Sequence, residues 1–383
     1  MSVGNSVGAN VGANVGASVG KNVGILGGGQ LAQMLALAGI PLGLRFVFFD
    51  PTEDCCAAAL GQHIKADFDD WSQLKIFAES VDIVTFEFEN IPLAAIEYVR
   101  NIRPVYPEIN ALQAKQDRLV EKQLFQRLGI ATPMFVDIKS RHDLDEAPDI
   151  LGLPFVIKSR YGGYDGKGQW LVKSADQTAD VWAQIDGLPC IAEQWIDFSR
   201  EVSMVAVQNR HADKVFYDLA ENQHNRGILH TTINRPGDPM AGKAQAIISQ
   251  LMDELNYCGV MALELFQING QLMANEFAPR VHNTGHWTIE GAGTSQFENH
   301  LRAILNLPLG DTGHNGQWVM LNLVGDLPDL TKISSMANSH LHDYRKQARP
   351  GRKLGHLTVR ADPREGPDRL ALRLKDSFEF LNH

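Results

Sequence analysis

The chain has 383 residues, enough for two or three domains, with 44% apolar and 21% charged residues, an ordinary globular balance. Its 35 Lys and Arg against 45 Asp and Glu leave a net charge of −10, which argues against nucleic acid or an anionic membrane as the main partner but permits a local basic pocket. The four cysteines, Cys55, Cys56, Cys190 and Cys258, form no CxxC pair and read as reduced thiols of a cytoplasmic protein.

The chain opens on Val-Gly at every fourth position, from Val3-Gly4 to Val23-Gly24. Glycine at that spacing disfavours helix, and there is too little apolar bulk for a core, so residues 1–21 are expected to form a flexible low-complexity tail. The uncharged run 22–44 is interrupted by Gln30, Gln33, Pro41 and several glycines, and fits neither a membrane span nor a signal peptide.

Residues 23–26 predict a buried strand and residues 45–50 a second one. Between them Leu31, Met34, Leu35 and Ala38 keep helical spacing up to Gly39 and Pro41. Gly27-x-Gly29-x-x-Ala32 at the strand–helix turn, with Asp50 21 residues beyond Gly29, has the pattern of a dinucleotide fingerprint. It reads either as an anion site of backbone N–H groups or as a tight turn that needs small residues. A nicotinamide or flavin oxidoreductase is the rival that this motif alone would support. Leu74, Phe77 and Ala78 then mark a helix, residues 81–89 a strand, and residues 111–128 one amphipathic helix opened by Asn110 and stopped by Gly129. From Pro133 the pattern changes. The short strands at 153–158, 169–173, 189–196 and 201–207, around one helix, predict a small α+β module between two larger ones.

Residues 160–170, RYGGYDGKGQW, lie between two of those strands. A Walker A loop requires G-x-x-x-x-G-K-[ST] leading into a helix; here Tyr161 replaces the first glycine, Gly168 follows Lys167, and a strand comes next. The stretch is instead a hairpin whose tip could fold over polyphosphate, with Lys158 as a point charge, or else an unliganded surface hairpin. Residues 260–280 form a second hairpin around Asn269-Gly270, with Glu264 on one strand and Glu276 beside Asn275 on the other. Buried carboxylates this close need a cation between them. Oxygen donors without suitably spaced His or Cys favour Mg²⁺, or Mn²⁺, with nucleotide phosphates over zinc. A regular two-residue loop would pair Ile268 with Gln271, set Glu264 against Asn275 and turn Glu276 to the other face. The shared metal site therefore predicts a β-bulge or an odd loop. In RVHNTGHW, residues 280–287, Arg280 offers a planar fork to a carboxylate or bicarbonate, and His282 and His286 are candidates for a role or for structural packing. RPGRKLGH, residues 349–356, gathers Arg349, Arg352 and Lys353, with Arg360 soon after, as a phosphate site or a solvated turn.

The motifs GILGGGQL, QDRLVEKQLF, GGYDGKGQW, EFAPRVHNTGHWT and RPGRKLGH, in this order from Val23 onward, resemble the ATP-grasp superfamily and, within it, the 5-(carboxyamino)imidazole ribonucleotide synthases of purine biosynthesis. The resemblance implies an α/β and α+β ATP-grasp fold of three domains: a Rossmann-like (preATP-grasp) domain over residues 22–125, a small lid over 126–198, and a C-terminal domain over 199–383 with the metal and substrate sites. It implies an ADP-forming ligase that carboxylates 5-aminoimidazole ribonucleotide with ATP and bicarbonate through carboxyphosphate, on the route to IMP.

Residue by residue, it implies that Arg118 and Lys158 contact the ATP phosphates under a closing loop of Gly163, Tyr164, Asp165, Gly166, Lys167, Gly168 and Gln169. Glu193, Gln194, Trp195 and Ile196 would meet the adenine, Glu201 the ribose, and His224 would line the site. Glu264 and Glu276 would hold Mg²⁺ with Asn275 adjacent. Gln30, Glu87, Tyr164, Asp165, Lys353 and Arg360 would hold the ribonucleotide, with Arg280 catalytic and Asp165 or His282 the proton acceptor. The implied partners are small molecules, with no nucleic acid and no membrane, in a cytoplasmic homodimer. Biotin carboxylase-like and glycinamide ribonucleotide-forming ligases are the rivals within the superfamily, and a nucleotide-binding module without turnover is the rival outside catalysis. The Val-Gly tail has no counterpart in the family pattern.

Overall fold

The computed structural model describes residues 20–163 and 168–378. Residues 1–19 of the expected tail, and Tyr164, Asp165, Gly166 and Lys167 of the glycine-rich loop, lie outside the described residues. The first apolar run forms the strand Asn22–Leu26, central in a parallel sheet ordered Gln62–Ile64, Arg45–Phe49, Asn22–Leu26, Ile83–Phe86. Continuous Val, Ile and Phe rather than alternation suits strands covered on both faces. The helix Gln30–Gly39 leaves the first strand and buries Leu31, Met34 and Leu35. The helix Trp71–Ser80 buries Leu74, Phe77 and Ala78, and its N-cap Asp70 accepts from Ser72 N and Gln73 N. The helix Leu93–Arg100, which starts behind Pro92, was not expected.

The single helix expected over 111–128 is two, Ile109–Gln116 and Arg118–Arg127. Asp117 breaks it with extended backbone, φ −121° and ψ 112°, and caps the second helix by accepting from Leu119 N. The same carboxylate takes Arg160 Nε at 2.9 Å and Tyr161 Oη at 2.9 Å. A short acidic side chain that competes for backbone N–H ends one helix and opens the next. The break aims Arg118 and Lys115 into the site described below.

The small module is an antiparallel sheet ordered Phe135–Ile138, Cys190–Gln194, Phe155–Ser159, Gln169–Val172. Two helices cover it, Arg141–Leu151 and Thr178–Ile185, not one. The fourth expected strand belongs elsewhere. Arg200–Gln208 pairs with Gly259–Ile268, from Gly259↔Gln208 to Gln267↔Arg200, inside a nine-stranded sheet. Its apolar run carried no information about which neighbour would cover it. The main path of that sheet runs Gln271–Ala278, Gly259–Ile268, Arg200–Gln208, Ala220–Asn225, Ile228–Asn234, Trp318–Val324, Lys353–Arg360, Ser339–Asp343, with Lys214–Phe216 paired beside Arg200–Gln208.

One apolar cluster joins the parallel sheet to the large one. Val23, Ile25, Leu35 and Phe48 pack with Val205, Ala262, Phe297 and Leu301, all buried. At about 1.5–3 kcal/mol for each fully buried large side chain, this contact makes the two sheets one body. The small sheet closes a separate cluster of its own around Leu144, Phe155, Ile157 and Ile185.

Candidate active site

A cavity of about 1250 Å³ opens where the three sheets meet. Its metal-binding candidates depend on the second hairpin. Ile268 pairs with Gln271 across Asn269 and Gly270, whose φ values of 48° and 75° are those of a two-residue hairpin turn. Pairing is regular as far as Leu265↔Ala274 and then slips by one residue at Asn275, so that Glu264 faces Glu276 directly. The expected bulge is present and puts both carboxylates on one face. Its displaced backbone is satisfied: Asn275 O accepts from Lys122 Nζ at 2.7 Å, Ala274 O from Thr132 Oγ1 at 2.9 Å, and Ala274 N donates to Ala131 O at 2.7 Å.

The two acids differ in charge state. Burial opposes ionisation of Glu276, but Lys115 and Arg118 outweigh it and hold its carboxyl well below the usual range. Lys115 Nζ is 2.6 Å and Arg118 Nη1 3.4 Å from Glu276 Oε2. Glu264 is pushed up to about 7, first by burial and then by the charge of Glu276. His282 Nε2 lies 3.7 Å from Glu264 Oε1. A half-neutralised pair of opposed carboxylates fits an oxygen-seeking divalent cation. Among the described residues no set of three His, Cys, Asp or Glu side chains is arranged to chelate an ion alone, so such a cation needs oxygens from a ligand as well.

A second network lies behind Lys158. Its Nζ is 3.0 Å from Glu193 Oε2, and Lys122 Nζ is 3.1 Å from the same oxygen. Burial raises the Glu193 pKa, yet the two lysines outweigh it and bring the carboxyl to about 2. Arg118 Nη2 reaches Gly163 O at 3.1 Å, joining the helix to the near side of the glycine-rich loop. His224 pairs with Glu201, which raises the imidazole pKa against burial.

Most of the residues named in advance line this one cavity: Gln30, Glu87, Arg118, Lys158, Gly163, Gln169, Glu193, Gln194, Trp195, Ile196, Glu201, His224, Glu264, Asn275, Glu276, Arg280, His282 and Lys353. Two do not. Arg360 lies at the far end of the strand Lys353–Arg360, where its Nη2 donates to Asn315 O at 2.5 Å; the slip beside Val324 keeps it on the face of Lys353, so position along the strand, not the face, takes it away from the cavity. Gly168 sits at the hairpin base, where its carbonyl accepts from Ser159 N at 2.8 Å and a Cβ would lie 2.5 Å from Ser159 Oγ. Tyr164, Asp165, Gly166 and Lys167 lie outside the described residues.

The dinucleotide-like turn is corrected outright. Its N–H groups are taken by the protein's own carboxylates: Glu87 accepts from Gly29 N, from Leu31 N at 3.1 Å and from Ala32 N at 3.1 Å, and Asp50 accepts from Gly28 N at 2.8 Å. Gly27 is required because a Cβ there would lie 2.5 Å from Glu87 Cγ, and its φ is 102°. The helix start is an anion site already filled from within, which removes the oxidoreductase reading.

Toward Lys353 the wall carries Arg280 and His282. Arg280 Nη2 is 2.8 Å from Glu89 Oε1 and its Nη1 donates to Val281 O at 3.0 Å, while Nε is buried without a partner among the described residues. His282 accepts on Nδ1 from Thr284 N at 3.4 Å and faces Thr284 Oγ1 at 3.0 Å. Burial, then Arg280, holds it well below its usual pKa, so the ring is neutral. Sequence reasoning passed over Lys115, Lys122, Glu121 and Glu89. The spacing of Lys115, Arg118 and Lys122, three and four residues apart, could have placed the cations on one side. Nothing local marked Glu121 or Glu89 as their partners.

Residues 20–116 match the ribonucleotide synthetase preATP-grasp domain, residues 123–297 the ATP-grasp domain, and residues 319–366 the phosphoribosylaminoimidazole carboxylase C-terminal domain. The chain is 47% identical over 341 residues to an N5-carboxyaminoimidazole ribonucleotide synthase of Pseudomonas aeruginosa, covering 89% of this chain and 95% of that one. The crystal structure of N5-carboxyaminoimidazole ribonucleotide synthetase from Thermus thermophilus superposes with a TM-score of 0.88 at 45% identity, over 92% of this chain and 98% of that one. An Aspergillus clavatus N5-carboxyaminoimidazole synthase, solved with ADP and 5-aminoimidazole ribonucleotide, gives a TM-score of 0.86 at 27% identity over 94% of this chain and 99% of that one. The three-sheet architecture, the cavity where the sheets meet and these matches along the chain agree: the chain belongs to the N5-carboxyaminoimidazole ribonucleotide synthase family of ATP-grasp enzymes.

Proposed function

We propose that the chain is the ADP-forming ligase that carboxylates 5-aminoimidazole ribonucleotide on its amine in purine biosynthesis, with bicarbonate activated by ATP as carboxyphosphate. The observation that carries the reading is the bulge at Asn275, which sets Glu264 against Glu276 in the same cavity as Lys158 and Lys353. Glu264 and Glu276 would hold Mg²⁺, or Mn²⁺, and that ion would supply neutralisation of the phosphate charge. Arg118 and Lys158 position the triphosphate, Lys158 being aimed by Glu193. Trp195 and Ile196, with the stacked rings of Phe198 and Phe266 (centroids 4.8 Å apart), form an apolar wall for the adenine. Glu201, paired with His224, takes the ribose hydroxyls.

Bicarbonate sits at Arg280, whose Nε is the donor left open by Glu89 and Val281. Its oxygen attacks the γ-phosphate and ADP leaves. The carboxyl carbon then passes to the ribonucleotide amine, which loses a proton as phosphate departs. Asp165 and His282 are the candidate acceptors of that proton, Asp165 on the resemblance alone; His282 has its Nδ1 lone pair engaged by Thr284 N, and burial opposes its protonation, so it can act only if that contact opens. Gln30, Glu87 and Lys353 hold the ribonucleotide, with Tyr164 from the loop. Closure of residues 163–169 keeps water from carboxyphosphate. The homodimer and the cytoplasmic location rest on the family resemblance. No helix among the described residues is long and apolar enough to cross a membrane. Glu276→Ala is expected to abolish ATP turnover, measured as phosphate release; turnover within tenfold of the parent would remove the carboxylate pair from the reaction.

A further inference from the structure

His286 lines the cavity and has no part in the reaction as set out above. Its neighbour Gln296 opens the helix Gln296–Ile304 and is completely buried. Gln296 Oε1 accepts from His282 N at 2.9 Å while Nε2 donates to His282 O at 2.6 Å. This two-point clamp fixes which end of the amide is nitrogen. The amide's remaining hydrogen faces His286 Nδ1, 3.4 Å away. An N–H aimed at Nδ1 requires a lone pair there, so the ring proton sits on Nε2.

That Nε2 is buried and has no hydrogen-bond partner among the described residues. Buried donors are rarely left unpaired, and an orphan in a cavity wall points to an acceptor supplied by a ligand. The ring cannot turn away. It packs on Phe297 at 5.6 Å and on His356 at 4.7 Å, and His356 is in turn held by Tyr344 Oη at 2.7 Å and stacked on His342 at 4.3 Å. Gly285 leaves room for the clamp, since a Cβ there would lie 2.6 Å from Gln296. Burial, then the fields of His342, Lys353 and Arg280, keeps the ring uncharged. A neutral donor beside two cations adds direction without adding charge.

We infer that His286 Nε2–H is a fixed hydrogen-bond donor to an anionic oxygen of the ribonucleotide, and that Gln296 is the positioning residue that sets its tautomer. The inference rests on the reading that the ribonucleotide occupies the Lys353 end of the cavity. The oxygen belongs to the ribonucleotide phosphate or to the carboxylate formed on its amine, and kinetics separate the two.

The test begins with the full chain carrying ¹⁵N-histidine, using His286→Asn to assign the signals. The expected spectrum has a proton on His286 Nε2 and a bare Nδ1, and the Nε2–H signal shifts on addition of 5-aminoimidazole ribonucleotide but not of ATP alone. Gln296→Glu can only accept at that position, so it should move the proton to Nδ1. His286→Asn keeps an acceptor for Gln296 and loses the donor. It should raise KM for the ribonucleotide about tenfold or more if the partner is the phosphate, or lower kcat by as much if the partner is the carboxylate, with KM for ATP moving less than twofold. A wild-type proton on Nδ1, or a folded His286→Asn with both constants for the ribonucleotide within twofold of the parent, overturns the inference. Absence of any ribonucleotide stimulation in the wild type would instead sink the underlying reading, and the spectra would still decide the tautomer.

Discussion

Glu193→Gln is the substitution whose consequences can be worked most fully. The change keeps the shape and removes the charge that Lys122 and Lys158 share. Depression of the carboxyl from 4.5 to about 2 corresponds to about 3 kcal/mol, at 1.36 kcal/mol per tenfold change in proton affinity. Burial lowers the ammonium pKa of Lys122 in spite of Glu193, so the net loss is no larger than this. Removing one member of a buried ion pair costs about 3–5 kcal/mol in general, the same range. Because the folded value lies below the unfolded one, this stability is complete above about pH 4.5 and disappears as pH falls toward 2. Thermal melting at pH 7 should therefore show the variant several degrees below the parent, with the gap closing as pH is lowered. Lys158 also loses its anchor, so KM for ATP should rise about tenfold or more. A variant that melts with the parent at pH 7, or keeps a constant gap down to pH 3, would refute the argument that Glu193 is ionised and shared.

Two corrections made above are tested by three further substitutions. Gly29→Ala would press a methyl into the Glu87 carboxylate; it should cost roughly 1–3 kcal/mol in denaturant unfolding, and an unchanged midpoint would show that Glu87 does not cap the helix. Arg360→Ala should leave KM for the ribonucleotide within twofold, whereas Lys353→Ala should raise it; a large effect at Arg360 would mean that its guanidinium leaves Asn315 and enters the cavity.

The parts of the fold that local pattern can specify were legible. The Asn269-Gly270 turn, the helix buried through Leu31, Met34 and Leu35, and the failure of residues 160–170 as a Walker loop all follow from short stretches. The bulge at Asn275 was legible for a different reason: two acids on apolar strands have one low-energy arrangement, and a regular register does not give it. What failed was non-local. The glycines at 27 and 29 look alike whether they admit a phosphate or the side chain of Glu87, which lies just past the strand Ile83–Phe86, 58 residues beyond Gly29. Arg200–Gln208 is apolar enough for either sheet, and only its long pairing with Gly259–Ile268 decides between them. Asp117 looked like a tolerable helix residue until Arg160 and Tyr161 came round to claim it. Lys115, Lys122 and Glu121 were passed over, and Glu193 and Glu276 were named for the adenine and the metal rather than as the anions that pair with these lysines.

The most direct measurement is phosphate release from ATP in the presence of bicarbonate and Mg²⁺, with and without 5-aminoimidazole ribonucleotide. The account predicts that the ribonucleotide stimulates release and that carboxylated ribonucleotide forms one for one with ADP. Release that is indifferent to the ribonucleotide, with no carboxylated product, would contradict it.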